Sequence, residues 1–107
     1  MTVNKPWLDH YPTNVPKTVD PDKYGNIIDL FEECFNRFRM HPMSVCMGVT
    51  HTYDDIDKTS LAVAAWLQAQ GLPKGSIVAL MMPNVPQYLP TMIGILRAGY
   101  VCTPINP

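Results

Sequence analysis

Cys34, Cys46, Cys102, His41 and His51 are the side chains of this sequence best suited to bind a metal ion or act as nucleophiles. Zinc ligands ordinarily come in tight pairs such as C-x2-C, and these five are widely spaced, so no metal site is assigned. An odd number of dispersed cysteines also argues against a disulfide framework and fits a reducing compartment. Buried free thiols are the reading that fits best. The loop "GLPKGS", Gly71 to Ser76, carries two glycines and a lysine. It lacks the G-x-x-x-x-G-K-[ST] order with which a backbone cradles phosphate, and it reads as a turn. Phosphoryl transfer needs cations and backbone donors converging on one group. The lysines and arginines here are scattered. No catalytic, cofactor-binding or metal-ligating residue is assigned.

Composition narrows the classes further. A chain of 107 residues has room for one domain, and its 47% hydrophobic content is that of a globular protein. The formal net charge of -1 gives no electrostatic reason to expect nucleic acid or an anionic membrane as partner. No apolar run approaches the roughly 18 residues that span a bilayer. The opening "MTVNKPWLDHYP" lacks the apolar core of a signal peptide. A soluble, cytoplasmic chain is expected.

The elements that would have to position any chemistry follow from periodicity and punctuation. Residues 1–25 hold Pro6, Pro12, Pro16 and Pro21, each of which fixes φ and removes a donor, so this segment reads as an extended arm. Trp7, Leu8, Tyr11 and Val15 are the side chains that could tack it to a surface, the other reading being a frayed terminus. Ile27, Phe31, Cys34, Phe35 and Phe38 then recur at helical spacing. Asn26 is the expected N-cap, with Asp29 reaching back from the third position, and His41-Pro42 ends the helix. The aromatic stripe reads as core packing more readily than as a ligand pocket.

"SVCMGVTHTY" predicts two strands, Ser44 to Met47 and Val49 to Tyr53, in a tight hairpin at Gly48. Thr52 and Asp55 form a capping-box signal for a second helix with Ile56, Leu61, Val63, Ala64 and Leu67 on its apolar face and Gly71 at its end. Ile77 to Met82 form an uninterrupted apolar strand that breaks at Pro83-Asn84. Asn84, with Gln87, is expected to cap a third helix whose inner face is Leu89, Met92, Ile93 and Leu96 and whose end is Gly99. Pro90 predicts a kink or a late start. "YVCTP" is the closing strand.

Strand, helix and strand in this order make a βαβ unit, with a right-handed crossover and parallel strands. Parallel strands are covered on both faces, which accounts for the lack of alternation in "IVALMM". Ligands in such folds lie beyond the C-terminal ends of the strands, here at "MPN". Phe31, Phe35, Val63, Leu67, Val78, Leu80, Ile93, Leu96 and Val101 are the expected core. The fold class is α/β, with residues 1–25 an arm and residues 26–107 a truncated α/β subdomain whose sheet is incomplete.

Four stretches together resemble the start of bacterial long-chain fatty acid–CoA ligases, members of the AMP-forming, adenylate-forming superfamily. They are "WLDHYPTNVP", "THTYDDIDKTSLAVAAWLQAQGLPKGSIVALMMPN", "PQYLPTMIGILRAG" and "VCTPINP". Asp55 and Ser76 depart from the glutamate and aspartate that the family often carries at these places. The resemblance implies the N-terminal part of the large adenylate-forming domain, in an enzyme several times longer than this chain. Such enzymes use ATP and Mg²⁺ to convert a fatty acid to an acyl-adenylate, then pass the acyl group to CoA. The phosphate loop, acidic motif, ribose-binding aspartate and C-terminal lysine of the family do not occur in residues 1–107, so the chain is expected to be an inactive scaffold fragment. Its expected partners are the remainder of its own polypeptide and a second copy of itself, with fatty acid and CoA for the parent. The parent is expected in the cytoplasm or peripherally at the inner membrane. The competing reading is a stand-alone α/β interaction or acyl-binding module.

Overall fold

In the computed structural model, which describes residues 3–107, the helical repeat after Asn26 forms α1, Ile27–Phe38. The Asn26 side chain accepts hydrogen bonds from the backbone N–H of Ile28 and Asp29, satisfying two of the donors that a helix start leaves open. Only this half of the expected capping pair forms among the described residues. β1, Pro42–Cys46, and β2, Val49–Thr52, follow as an antiparallel hairpin. Its turn is Met47-Gly48, with φ of +50° and +78°. Two successive positive φ values match the twist of the flanking strands, and glycine supplies one of them without strain. Met47 therefore belongs to the turn rather than to the first strand.

The capping box at Thr52 and Asp55 is formed in both directions and opens α2, Tyr53–Ala69. β3, Ile77–Met81, α3, Tyr88–Arg97, and β4, Val101–Ile105, complete the chain. β3 and β4 pair in parallel, with Ile77 opposite Val101 and Met81 opposite Ile105. The expected parallel neighbours are present. α3 does not start at Asn84. Val85 precedes Pro86, which disfavours helical backbone there, and the helix begins only at Tyr88 with Gln87 as cap. Pro90 then falls on the third helical residue, whose N–H has no intrahelical partner in any helix, so it delays the start without a kink.

Two apolar clusters hold the fold. Phe35, Ile56 and Ile93 join the three helices, and Ala64, Leu67, Leu80, Ile95, Ala98 and Tyr100 seat α2 and α3 on one face of the β3–β4 sheet. The buried stripe of α2 runs through Ile56, Ser60, Ala64 and Leu67, which leaves Leu61 exposed instead of on the inner face. Ile95 takes the buried place expected of Leu96, which is half-buried, as are Phe31, Val63 and Val78. Val101 is exposed because it shares with Ile77 the sheet face that no helix covers among the described residues. β3 is thus covered on one face, not two, and its burial alternates along its length.

The segment before α1 contains a short 3-10 turn, Pro6–His10, opened by Pro6 at a position where a missing N–H does no harm. The turn packs on no helix or strand among the described residues, and Trp7, Tyr11 and Val15 stay exposed rather than tacking it down. The radius of gyration, 17.2 Å, exceeds the roughly 13 Å of a compact chain of this length, as an outlying segment requires. The first two residues of the expected arm lie outside the described residues.

α2 and α3 are in tight contact at Gly94. A methyl group built there would lie 2.6 Å from Val63 Cγ1 and 2.9 Å from the Ser60 carbonyl oxygen, and the second is backbone that cannot swing aside. Gly94→Ala should therefore destabilise the chain by about 1–3 kcal/mol despite the higher helix propensity of alanine, read as a lowered urea midpoint.

Candidate functional site

The most developed polar feature is a cluster of ions where the three helices meet. Arg97, at the end of α3, has a side chain only 5% exposed. Its Nη2 donates to Asp57 Oδ1 on α2 at 2.8 Å and forms an ion pair with Glu32 Oε1 on α1 at 2.6 Å. Its guanidinium also lies over the Phe35 ring, 5.1 Å from the centroid. Nε and Nη1 are buried without a hydrogen-bond partner. A second cation, Arg39, follows α1 and pairs with Asp54 while lying 3.7 Å from Asp57 Oδ2. Lys58 Nζ completes the group on Asp54 at 2.6 Å. The chain between α1 and α2 is fastened there too: the Asp54 N–H donates to the Arg39 carbonyl, and the Tyr53 N–H to that of His41.

A cleft of about 800 Å³ borders this cluster, with Ile28, Glu32, Ala64, Leu96, Arg97 and Lys74 among its lining. A smaller one, about 340 Å³, lies between the hairpin and the segment after β3. Ser44, Cys46, Asn84 and Tyr88 line it; Ser44 Oγ is buried without a partner, and Cys46 Sγ donates to the Asn84 carbonyl at 3.7 Å. This is the C-terminal end of β3, where α/β folds place ligands.

The loop Gly71 to Ser76 sits at the opposite end, where β3 begins. Its Gly75 N–H donates to the Gly99 carbonyl, and Ser76 Oγ to the Pro73 carbonyl. The Gly75 donor is thus committed to holding β3 beside β4, and the loop enters a strand rather than a helix, so it does not fit a nucleotide phosphate. Arg39, Lys58 and Arg97 are likewise engaged by carboxylates. The cysteines are dispersed over α1, β1 and β4, all half-buried and free. Burial raises the pKa of Cys102, which keeps it a thiol and a poor nucleophile. Among the described residues, no group of three or more His, Cys, Asp or Glu side chains could hold a metal ion.

Sequence reading passed over Asp57, Arg97 and Arg39. The available signal was Arg97, a charge set into the apolar run "GILRAG"; Asp57, within the charged stretch "DDIDK", gave none.

This parallel β3–α3–β4 unit, with a helical layer pinned to one face, defines an α/β scaffold, and comparison with known proteins gives its lineage. The chain belongs to the AMP-binding enzyme family, whose model matches residues 31–107. It is 43% identical over 106 residues to the long-chain-fatty-acid–CoA ligase of Escherichia coli O6:H1, a match covering 98% of this chain and 19% of that ligase. The chain therefore spans about a fifth of the length of such relatives. Among solved structures, Klebsiella oxytoca NpsA in complex with 3-hydroxyanthranilyl-AMSN superposes with a TM-score of 0.74 at 28% identity, over 78% of this chain and 17% of that one. The fatty acid AMP ligase from Legionella pneumophila shares the fold, with a TM-score of 0.71 at 23% identity over 84% of this chain and 17% of its own.

The ion cluster yields two expectations. Asp57→Ala leaves the buried Arg97 guanidinium with only the half-exposed Glu32 as counter-ion and should cost about 3–5 kcal/mol, whereas Asp57→Leu combined with Arg97→Met should recover most of that loss in chemical denaturation. Asp54 is held below the ordinary carboxylate range by hydrogen bonds from Lys58 and Arg39, and Asp55 by the Thr52 N–H and hydroxyl. Carboxyls depressed in the folded state confer stability that is complete above the ordinary range and lost as pH falls through it to their folded values. The melting temperature should decline across that acidic window, and Asp55→Asn should make the decline shallower, as followed by circular dichroism.

Proposed function

We propose that this chain is the N-terminal scaffold segment of a long-chain fatty acid–CoA ligase. The observation that carries the reading is 43% identity sustained over nearly the whole chain to such a ligase. In the whole enzyme, a fatty acid and ATP give acyl-adenylate and pyrophosphate, and CoA thiol then displaces AMP to give acyl-CoA. ATP, Mg²⁺ and CoA belong to that larger protein. The segment itself contributes no catalytic, cofactor-binding or metal-ligating residue; its Gly75 donor and its best-placed cations are spent on its own architecture. Residues 1–25 act as an arm and residues 26–107 as the structured α/β portion.

The partners of the segment are the remainder of the ligase polypeptide and, for the chain alone, a second copy. Among the described residues no helix is long and apolar enough to cross a membrane. The working location of the parent is the cytoplasm, with peripheral contact at the inner membrane through other parts of the enzyme.

ATP–pyrophosphate exchange with oleate tests the reading. The 107-residue chain should give no exchange, because a scaffold without convergent charge has nothing with which to stabilise the transition state. A longer ligase polypeptide containing this segment should exchange. Activity in the short chain would overturn the scaffold role, and an inert long polypeptide would overturn the ligase assignment.

A further inference from the structure

All the ion contacts of Arg97 pass through one nitrogen. Nη2 meets both Asp57 and Glu32, while Nε and Nη1 are buried without a hydrogen-bond partner. A buried ion pair adds little stability over apolar side chains of the same volume, so what this one contributes is position. What it positions follows from the residues directly after it. The Tyr100 N–H donates to the Ile95 carbonyl and the Gly99 N–H to the Leu96 carbonyl, with Gly99 at φ +85°. This is a Schellman turn, in which a left-handed glycine closes a helix by returning two donors to its last turn. Three residues thus separate the buried guanidinium from Val101, where β4 begins, and each is held. The Ala98 N–H donates to the Gly94 carbonyl, the Gly99 carbonyl accepts from Gly75, and the Tyr100 hydroxyl donates to the Leu72 carbonyl at 3.1 Å. β4 then runs beside β3 to Met81 and Ile105, at the C-terminal ends of both strands, where α/β folds place ligands.

We propose that Arg97, held by Asp57, is a positioning residue for acyl-adenylate formation. It fixes where α3 ends on α2 and, through the turn at Gly99, the line along which β4 reaches the ligand edge of the sheet. The proposal rests on the ligase reading. Arg97 touches no reactant and acts through β4. Cores refilled with apolar side chains lose uniqueness and rigidity before they lose stability, whereas opposite charges accept one arrangement. Reactions that depend on held geometry lose about a hundredfold in rate for a misplacement of about 1 Å.

The test is made in a longer ligase polypeptide containing this segment. Asp57→Leu with Arg97→Met removes the pair and leaves Arg39 to Asp54 and the half-exposed Glu32 to water. The urea midpoint of this double variant should stay near that of wild type. Its kcat for ATP–pyrophosphate exchange with oleate should fall by about tenfold or more, with KM for ATP and oleate within about twofold of wild type. Arg97→Lys should bring kcat back to within about threefold of wild type, because one ammonium can stand in for the one nitrogen that makes the contacts. Hydrogen exchange along Val101 to Ile105 should quicken several-fold in the double variant while the β1–β2 hairpin is unchanged. A wild-type polypeptide that gives no exchange of pyrophosphate overturns the ligase reading itself. A wild type that is active beside a double variant of equal kcat overturns the positioning role alone. So does an Arg97→Lys variant as slow as the double variant, or a β4 whose hydrogen exchange does not change. A collapsed urea midpoint in the double variant overturns it too, since the pair would then hold the fold together rather than choose its register.

Discussion

The arrangement depends on a buried pair of opposite charges, Asp57 on α2 and Arg97 on α3. Neither could lose water alone without a penalty of several kcal/mol, and their mutual attraction offsets that penalty only in the geometry observed. That requirement fixes the ends of two helices against each other, and Glu32 brings α1 into the same group. The contact adds little net stability compared with an apolar filling of the same volume. Its effect is on specificity: α3 cannot slide along α2 by a turn without separating the charges. The Phe35 ring beneath the guanidinium links this polar lock to the apolar cluster of Phe35, Ile56 and Ile93.

Close approach of α2 and α3 is what makes the lock possible. Ser60 and Gly94 are small residues at the crossing, and Ser60 returns its hydroxyl to the Asp57 carbonyl, so no polar group is stranded there. The wider side chains lie to either side, Ile93 toward α1 and Ile95 toward the sheet. Three successive residues of α3, Ile93 to Ile95, are therefore buried together, a helix enclosed on more than one side rather than one with a single inner stripe.

Much of the fold was legible in the sequence where local rules and tertiary structure agree. Asn26, the Thr52–Asp55 box, Gly48 and Gly71 each mark an element boundary by a backbone requirement that no distant contact overrides. The parallel pairing of β3 and β4 followed from a strand, a helix and a strand in close succession. Helix phase was less legible. Leu61 and Leu96 looked buried because leucine usually is, whereas the crossing at Gly94 required the small Ser60 on α2 and placed Ile95 rather than Leu96 inside. Asn84 looked like a cap, but the prolines at 86 and 90 govern where helical backbone can begin. The ion cluster was the least legible, since partners 40 residues apart leave no periodic signal. The cover of β3 was misjudged for a related reason: apolar sequence reports what a strand can bury, not what this chain supplies to bury it.

The hairpin and the parallel pair differ in how they emerge during synthesis. β1 and β2 are joined by two residues and can close as soon as both leave the ribosome. β3 must wait, because Val101 and its neighbours follow the whole of α3. In that interval "IVALM" has no strand beside it, and only α2 is available to shield it. Vectorial synthesis thus leaves this strand without its neighbour until all of α3 has emerged, and in that interval nascent chains of this protein are open there to chaperone capture or to pairing with one another on crowded polysomes.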